Sequence, residues 1–493
     1  MYFKSTRDTE EKKLLSAQVI KQGLADDGGL FIPTEIPELT ESEVKKLATL
    51  PYPERAALVM GKFLTDFTYD ELIADCEAAY AEASFPGGAA PVVNIEKNLY
   101  SLELWHGPTA AFKDMALQLM PRLLVRSLRK TGENRTALIL VATSGDTGKA
   151  ALEGYRDVDG VKIMVFYPVD GVSRVQKLQM ATQQGSNVNV CAINGNFDDA
   201  QTGVKKIFSD TEFAAELDKN GYFLSSANSI NWGRLAPQIV YYVSAYCDLM
   251  NEGKISYGDK INVCVPTGNF GNILAAYIAK LMGLPIDKLI CASNVNNVLT
   301  EFLRTGTYDR NRKFHVTMSP SMDILISSNL ERLLAFVAGP EKTAAYMKSL
   351  NTTGAYTVEP DVLAKINESF VGYYTDEAAT GAEIKANFEN LGYLHDTHTA
   401  VAVNAARQYE AQTGDVKPTV IASTASPYKF AADVLVSLGG DRPADDLEAL
   451  DKLSALTNTE ITSPLRGLGE RAVRFTETID PADMPAAVKN YTK

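Results

Sequence analysis

Residues Ile261-Asn262-Val263-Cys264-Val265-Pro266-Thr267-Gly268-Asn269-Phe270-Gly271-Asn272 run from a short apolar stretch into a glycine-rich polar loop, and an apolar helical pattern follows from Ile273 to Met282. By composition Ile261–Val265 reads as a buried strand. Strand, glycine loop and helix in direct succession leave backbone N–H groups free at a helix N-terminus, where the dipole favours an anion. The same succession occurs upstream. Thr136–Ala142 (TALILVA) leads into Thr143-Ser144-Gly145-Asp146-Thr147-Gly148, and a helical pattern continues through Tyr155. Further β-like runs at Val161–Phe166, Asn189–Ile193, Leu289–Ala292 and Thr419–Ala422 alternate with helical patterns. Strands separated by helices predict an α/β protein with mostly parallel sheets.

Neither glycine loop is a nucleotide motif. A P-loop needs Gly, four residues, then Gly-Lys-Ser/Thr. Around Gly148-Lys149 the end positions are Thr143 and Ala150, so both fail. In the segment from Gly268, Phe270 stands where a dinucleotide fingerprint needs its second glycine. Two readings remain for each loop, an anion cradle or a plain strand-to-helix turn.

The third informative stretch is His106-Gly107-Pro108-Thr109-Ala110-Ala111-Phe112-Lys113-Asp114, between the apolar run Leu99–Trp105 and a helical pattern expected from Met115. A lysine at such a junction is held by backbone on both sides at the mouth of a sheet. A Schiff-base lysine needs that setting, because its amine must be partly desolvated. A surface lysine lying beside a turn is the plainer alternative.

Taken in order, these three stretches resemble threonine synthase, a pyridoxal-phosphate family of fold type II, the tryptophan synthase β-like group. The resemblance extends to Ser5-Thr6-Arg7, to Leu24–Pro33 (LADDGGLFIP), to Asn228–Leu235 (NSINWGRL) and to Ser423–Phe430 (STASPYKF). Many members have His in place of Ser426, Ala in place of Tyr428 and Asp in place of Asn272. The resemblance implies a two-lobed catalytic fold with pyridoxal 5'-phosphate attached through Lys113. Gly268, Asn269, Phe270, Gly271 and Asn272 would hold the cofactor phosphate, and Thr424 would hydrogen-bond the pyridine nitrogen. Ser144, Gly145, Asp146 and Thr147 would receive the substrate carboxylate. Asn228, Ser229, Arg234 and Lys429 would surround the substrate phosphate, with Lys149 as a further candidate.

Each role has a structural competitor. Thr424 can be a turn hydroxyl after the strand Thr419–Ala422. Asp146 is wrongly charged for an anion and can instead cap the next helix or orient its loop. Arg234 can be a helix-surface arginine, and Lys149 can point to solvent. His106 is expected to shape the lysine loop. His395 and His398 are spaced to share a helix face, but no glutamate or cysteine nearby completes a ligand set, so a helix-entry role is expected and no metal.

Composition bounds the class. The 493 residues, 45% hydrophobic and 22% charged, describe a globular protein of two or three domains. A net charge of −13 argues against nucleic-acid partners and anionic membranes. A phosphate substrate would then require a locally positive site. The five cysteines are scattered among apolar runs, which suggests reduced thiols in a cytoplasmic enzyme. Met1-Tyr2-Phe3-Lys4 has no long apolar core behind it, and no stretch approaches a membrane span. The expected organisation is a helical N-terminal domain (1–91), a catalytic domain (92–430) and a C-terminal helical segment (431–493). Within the catalytic domain we expect a smaller lobe near 130–225 and a helical insertion near 306–395. Pro86-Gly87-Gly88-Ala89-Ala90-Pro91 marks the first boundary.

The implied reaction converts O-phospho-L-homoserine and water to L-threonine and phosphate, by γ-elimination and then water addition at Cβ. The competing readings are a dehydratase or phospho-lyase releasing 2-oxobutyrate, and a non-catalytic metabolite sensor. A monomer or homodimer is expected.

Overall fold

Two larger sheets, of six and five strands, carry the fold, with two short two-stranded pairs beside them. The computed structural model describes residues 1–9, 12–170 and 172–493. Along the chain the strands are β1 (Phe3–Ser5), β2 (Phe31–Pro33), β3 (Val92–Glu96), β4 (Leu99–Glu103), β5 (Thr136–Ala142), β6 (Val161–Pro168), β7 (Val188–Ile193) and β8 (Tyr222–Ser225). They continue as β9 (Ile261–Pro266), β10 (Ile286–Ser293), β11 (Thr307–Asp309), β12 (Ala355–Thr357), β13 (Phe370–Tyr374), β14 (Thr419–Ser423) and β15 (Thr478–Ile479).

The larger sheet has the order β13-β10-β9-β14-β4-β3, parallel except where the hairpin strand β3 meets β4. The smaller has the order β15-β7-β6-β5-β8 and is parallel throughout. Central strands such as β9 and β14 are buried at every position, as expected where helices cover both faces. This is the two-lobed, mostly parallel α/β architecture of fold type II.

Four elements differ from the sequence expectations. The N-terminal ninety residues are mainly helical but also pair β1 with β2, antiparallel. The 306–395 segment is not only helical: it pairs β11 with β12 and supplies β13, an edge strand of the large sheet beside β10. The 431–493 segment is not only helical either, because β15 lies against β7 in the small sheet. Lastly, the helix after the lysine loop begins at Lys113 itself, not at Met115, and is one turn long (Lys113–Leu117).

One apolar cluster runs from the N-terminal helices through the facing sides of both sheets, around Trp232, Leu102 and Val265. A second lies on the outer face of the small sheet, where Leu138, Met164 and Ile193 cluster with Val204 and Ile207 of the helix Phe197–Ser209 and with Met484 and Val488 of the last helix. None of the helices among the described residues is long and apolar enough to cross a membrane.

Candidate functional site

Strands β4, β14 and β9 are parallel neighbours, so the segments leaving their carboxyl ends share one edge of the large sheet. Those segments are the lysine loop, Thr424–Phe430 and the Gly268 loop. The first two are stitched together: Phe112 N donates to Thr424 O (2.8 Å) and Ser426 N to Ala110 O (3.1 Å). Ala110 adopts a left-handed conformation at φ 58°, strain held by these bonds. Inside the loop, both Asp114 carboxylate oxygens accept from Thr109, one from its N (2.8 Å) and one from its Oγ1 (2.7 Å). Lys113 thereby opens its helix from a fully hydrogen-bonded loop, with its side chain 12% exposed.

From the small lobe, β5 and β8 are also parallel neighbours and deliver the Ser144–Gly148 and Asn228–Arg234 segments to one edge. Thr143 Oγ1 accepts from Gly145 N (3.0 Å) and Gly148 N (2.9 Å), closing the turn before the helix Asp146–Tyr155. Ser144 is exposed, Thr147 half-buried, and Asn228 and Ser229 half-buried.

Asp146 joins the lobes. Its Oδ1 lies 2.8 Å from Lys429 Nζ, and its Oδ2 lies 3.9 Å from Lys113 Nζ. Gln176 Nε2 also donates to Oδ1 (2.8 Å). Burial would raise the Asp146 carboxyl, but Lys429, Lys113 and Gln176 outweigh it and hold the group well below the usual carboxylate range. Asp146 is therefore an internal counter-ion. It is the first helical residue and its carboxylate does not cap; the N-cap position belongs to Gly145. Lys429, fully buried, spends its ammonium on Asp146 and on Thr109 O (3.0 Å).

Arg234 is not on a surface. It is buried and donates Nη1 to Ala227 O (2.8 Å), and among the described residues no carboxylate pairs with it. Burial lowers its guanidinium to about 10. Burial also lowers the Lys113 amine to about 8; Asp146 opposes the shift, while Arg234 and Lys429 add to it. Lys149 does not point to solvent. It is buried, and its Nζ bonds Glu153 (3.0 Å) and Gln183.

In the third loop, Phe270 takes a left-handed conformation (φ 62°) and the helix Gly271–Leu281 starts immediately after. Gly268 is required by packing rather than by openness, because a Cβ there would fall 2.5 Å from Ser321 O. The loop carbonyls are taken: Ser327 Oγ donates to Gly268 O (2.7 Å), and Asn329 N and Nδ2 both donate to Asn269 O (3.0 Å each). Asn272 Oδ1 accepts from the Tyr241 and Tyr242 hydroxyls, which orients the amide. Its Nδ2 is then a buried donor without a partner, at the first turn of a helix. A buried unpaired donor beside a helix N-terminus suits an anionic group such as a cofactor phosphate.

His106 binds Glu103 (2.7 Å) and stacks on Trp105, as a loop-shaping residue does. His395 and His398 do not share a helix: Asp396 caps the helix Thr397–Thr413, which contains only His398. Among the described residues there is no cluster able to hold a metal ion. Sequence reading missed Thr143, Gln176, Ser327 and Asn329. Thr143, a hydroxyl between strand and glycine, carried a legible capping signal; the other three act across the fold and carried none.

Comparison with known proteins decides the family. Residues 2–80 match the family described as threonine synthase N terminus, 88–425 the pyridoxal-phosphate dependent enzymes, and 399–490 the threonine synthase C-terminal family. The threonine synthase of Pseudomonas aeruginosa is 39% identical over 432 residues, covering 86% of this chain and 88% of its own. The chain belongs to the threonine synthase family. A threonine synthase of Brucella melitensis, solved with pyridoxal phosphate bound, superposes with a TM-score of 0.88 at 36% identity, covering 100% of both chains. The human relative named threonine synthase-like 1 is 43% identical over 446 residues, 87% of this chain but 59% of that longer protein. As in the family, the cofactor is pyridoxal 5'-phosphate, and the orphaned Asn272 amide and the Lys113 amine, lowered by burial, fit its phosphate and its aldehyde.

Proposed function

We propose that this member converts O-phospho-L-homoserine and water to L-threonine and inorganic phosphate. Arg234 carries the reading. A buried guanidinium with no carboxylate partner among the described residues, within electrostatic reach of Lys113, calls for an anion beyond the cofactor's own phosphate. A dehydratase acting on an unphosphorylated amino acid has no use for it.

In this reading the cofactor, attached at Lys113, supplies the electron sink that makes protons beside the amine-bearing carbon acidic. Gly268, Asn269, Phe270, Gly271 and Asn272 hold its phosphate through backbone N–H groups and the Asn272 amide. Thr424 offers the ring nitrogen a neutral hydroxyl, which does not hold that nitrogen protonated as a carboxylate would. Ser144, Gly145 and Thr147 take the substrate carboxylate at the helix start. Arg234, with Asn228 and Ser229, takes the substrate phosphate. Asp146 and Lys429 neutralise each other and hold the lobes in register, rather than contacting substrate. Lys113, at about 8, exchanges protons near neutral pH and moves the proton at Cα. The five cysteines are all free and buried, in keeping with a cytoplasmic enzyme.

Incubation with O-phosphohomoserine, with threonine, phosphate and 2-oxobutyrate all quantified, tests the proposal. Equimolar threonine and phosphate are expected. Release of 2-oxobutyrate with phosphate would make the protein a phospho-lyase, and no turnover by cofactor-loaded protein would leave a sensor.

A further inference from the structure

The helix Thr397–Thr413 enters the large lobe through a buried polar knot that the reaction does not use. Asp396 and His398 are each at most 2% exposed. His398 Nδ1 lies 2.8 Å from Asp396 Oδ2, and His398 Nε2 accepts the backbone N–H of Ser321 (3.1 Å). A backbone amide can only donate, so Nε2 carries no proton and the imidazole hydrogen sits on Nδ1, donated to Asp396.

Ser321 is no incidental donor. Its carbonyl is the atom a Cβ at Gly268 would strike, so the Ser321 turn is the wall behind the Gly268 loop. The same knot reaches the neighbouring strand: Thr399 Oγ1 also bonds Asp396 and lies 3.2 Å from Ser423 Oγ, one residue before Thr424. Two segments of the cofactor site therefore lean on one aspartate–histidine pair.

We propose that Asp396 fixes the tautomer of His398, and that this tautomer holds the Ser321 turn against Gly268 and so sets the shape of the phosphate loop. Both are positioning residues, and the inference rests on the reading of Gly268–Asn272 as the phosphate site.

Asp396→Asn is the discriminating variant. Asparagine can still accept from Thr399 N through its oxygen and gives up only the second cap bond, from His398 N, so Thr397–Thr413 keeps its start. Its amide, however, donates to Nδ1 and drives the ring proton to Nε2, which then can no longer accept from Ser321. We expect the Ser321 amide to exchange hydrogen at least tenfold faster, the ³¹P resonance of bound pyridoxal phosphate to shift, and cofactor affinity to fall about tenfold. His398→Gln, which can return an acceptor near the Nε2 position, should retain most of the affinity that His398→Phe loses. Unchanged exchange and an unchanged ³¹P line in Asp396→Asn would overturn the proposal. Equal losses in the glutamine and phenylalanine variants would overturn it too, leaving only ring packing. Asn272→Ala separates the two readings. If it moves the ³¹P line and Asp396→Asn does not, the tautomer proposal fails; if Asn272→Ala leaves the line unmoved, the phosphate-loop reading itself fails.

Discussion

Lys113 sits in a buried setting that favours its neutral form. Burial lowers its amine first; Asp146 and Asp114 oppose the shift, while Arg234 and Lys429 add to it. The expected outcome is an amine that reacts with aldehydes at neutral pH. Labelling of cofactor-free protein with pyridoxal phosphate, trapped with borohydride, should rise with pH through an inflexion near 8. An ordinary lysine inflexion near 10.4 would show that burial does not lower this amine. Lys113→Ala should lose turnover altogether while still binding cofactor weakly through the phosphate loop. Its neighbour Asp114 shows the opposite shift. Burial raises the carboxyl to about 6, against the two bonds from Thr109 that lower it. Below the unfolded value of about 3.9 both states are protonated and the contribution is fully present; as pH rises through about 6 it is lost. Asp114→Asn can keep both Thr109 bonds, since the hydroxyl can turn and accept. The difference in urea midpoint between variant and wild type should therefore move in the variant's favour as pH climbs from 4 to 6. A pH-independent difference would mean that Asp114 ionises normally.

Helices, not strands, deliver the lysine to its partner across the lobes. The one-turn helix Lys113–Leu117 packs against Asp146–Tyr155 so closely that a methyl at Gly154 would fall 1.9 Å from the Leu117 carbonyl oxygen. In a free helix Gly→Ala gains about 1 kcal/mol. Here the contact reverses the sign, because the opposing atom is backbone and cannot turn aside. Gly154→Ala should cost about 1–3 kcal/mol of stability in chemical denaturation, the usual range for overpacking. A stabilised variant would mean that the two helices stand further apart. Such contacts also mark where the sequence stops being readable. Six of the strands were legible from buried apolar runs within two or three residues at each end, because a strand covered on both faces needs such a run. Strand β15 is two residues long and β13 follows directly on a helix, so pairing with a distant strand defines each and local pattern does not. The lysine helix starts two residues early because Thr424 and Ser426 anchor the loop from outside. The two glycine loops leave the carboxyl ends of β5 and β9, where the strand-loop-helix pattern puts them. Asp146 and Lys429 pair between distant segments, so neither counter-ion can be seen from its partner's own segment; Glu153, four residues after Lys149 on the same helix, could be.

Across the whole molecule the chain crosses between lobes more than once, and its end returns to the small lobe, which it left after β8. After finishing the large sheet at β14, it passes back along the small lobe, adds β15 to β7 through Thr478↔Ala192 and Ile479↔Ile193, and closes with the helix Met484–Thr492. Met484 packs where Gly203 leaves room: a Cβ at Gly203 would fall 2.3 Å from the Met484 sulfur. Val488 is fully buried beside it. Removing residues 478–493 would therefore uncover part of the outer apolar face of the small sheet and leave β7 as an unpaired edge, a template for association. The large lobe receives nothing from this segment in its sheet. Limited proteolysis should thus cut the truncated protein within 136–225 at least tenfold faster than the full chain, while the 261–423 region keeps its protection, and the truncated protein should self-associate on gel filtration. Uniform loss of protection in both lobes would mean that the lobes unfold as one unit, with Asp146–Lys429 and the shared apolar cluster coupling them more tightly than the edge strand stabilises either alone.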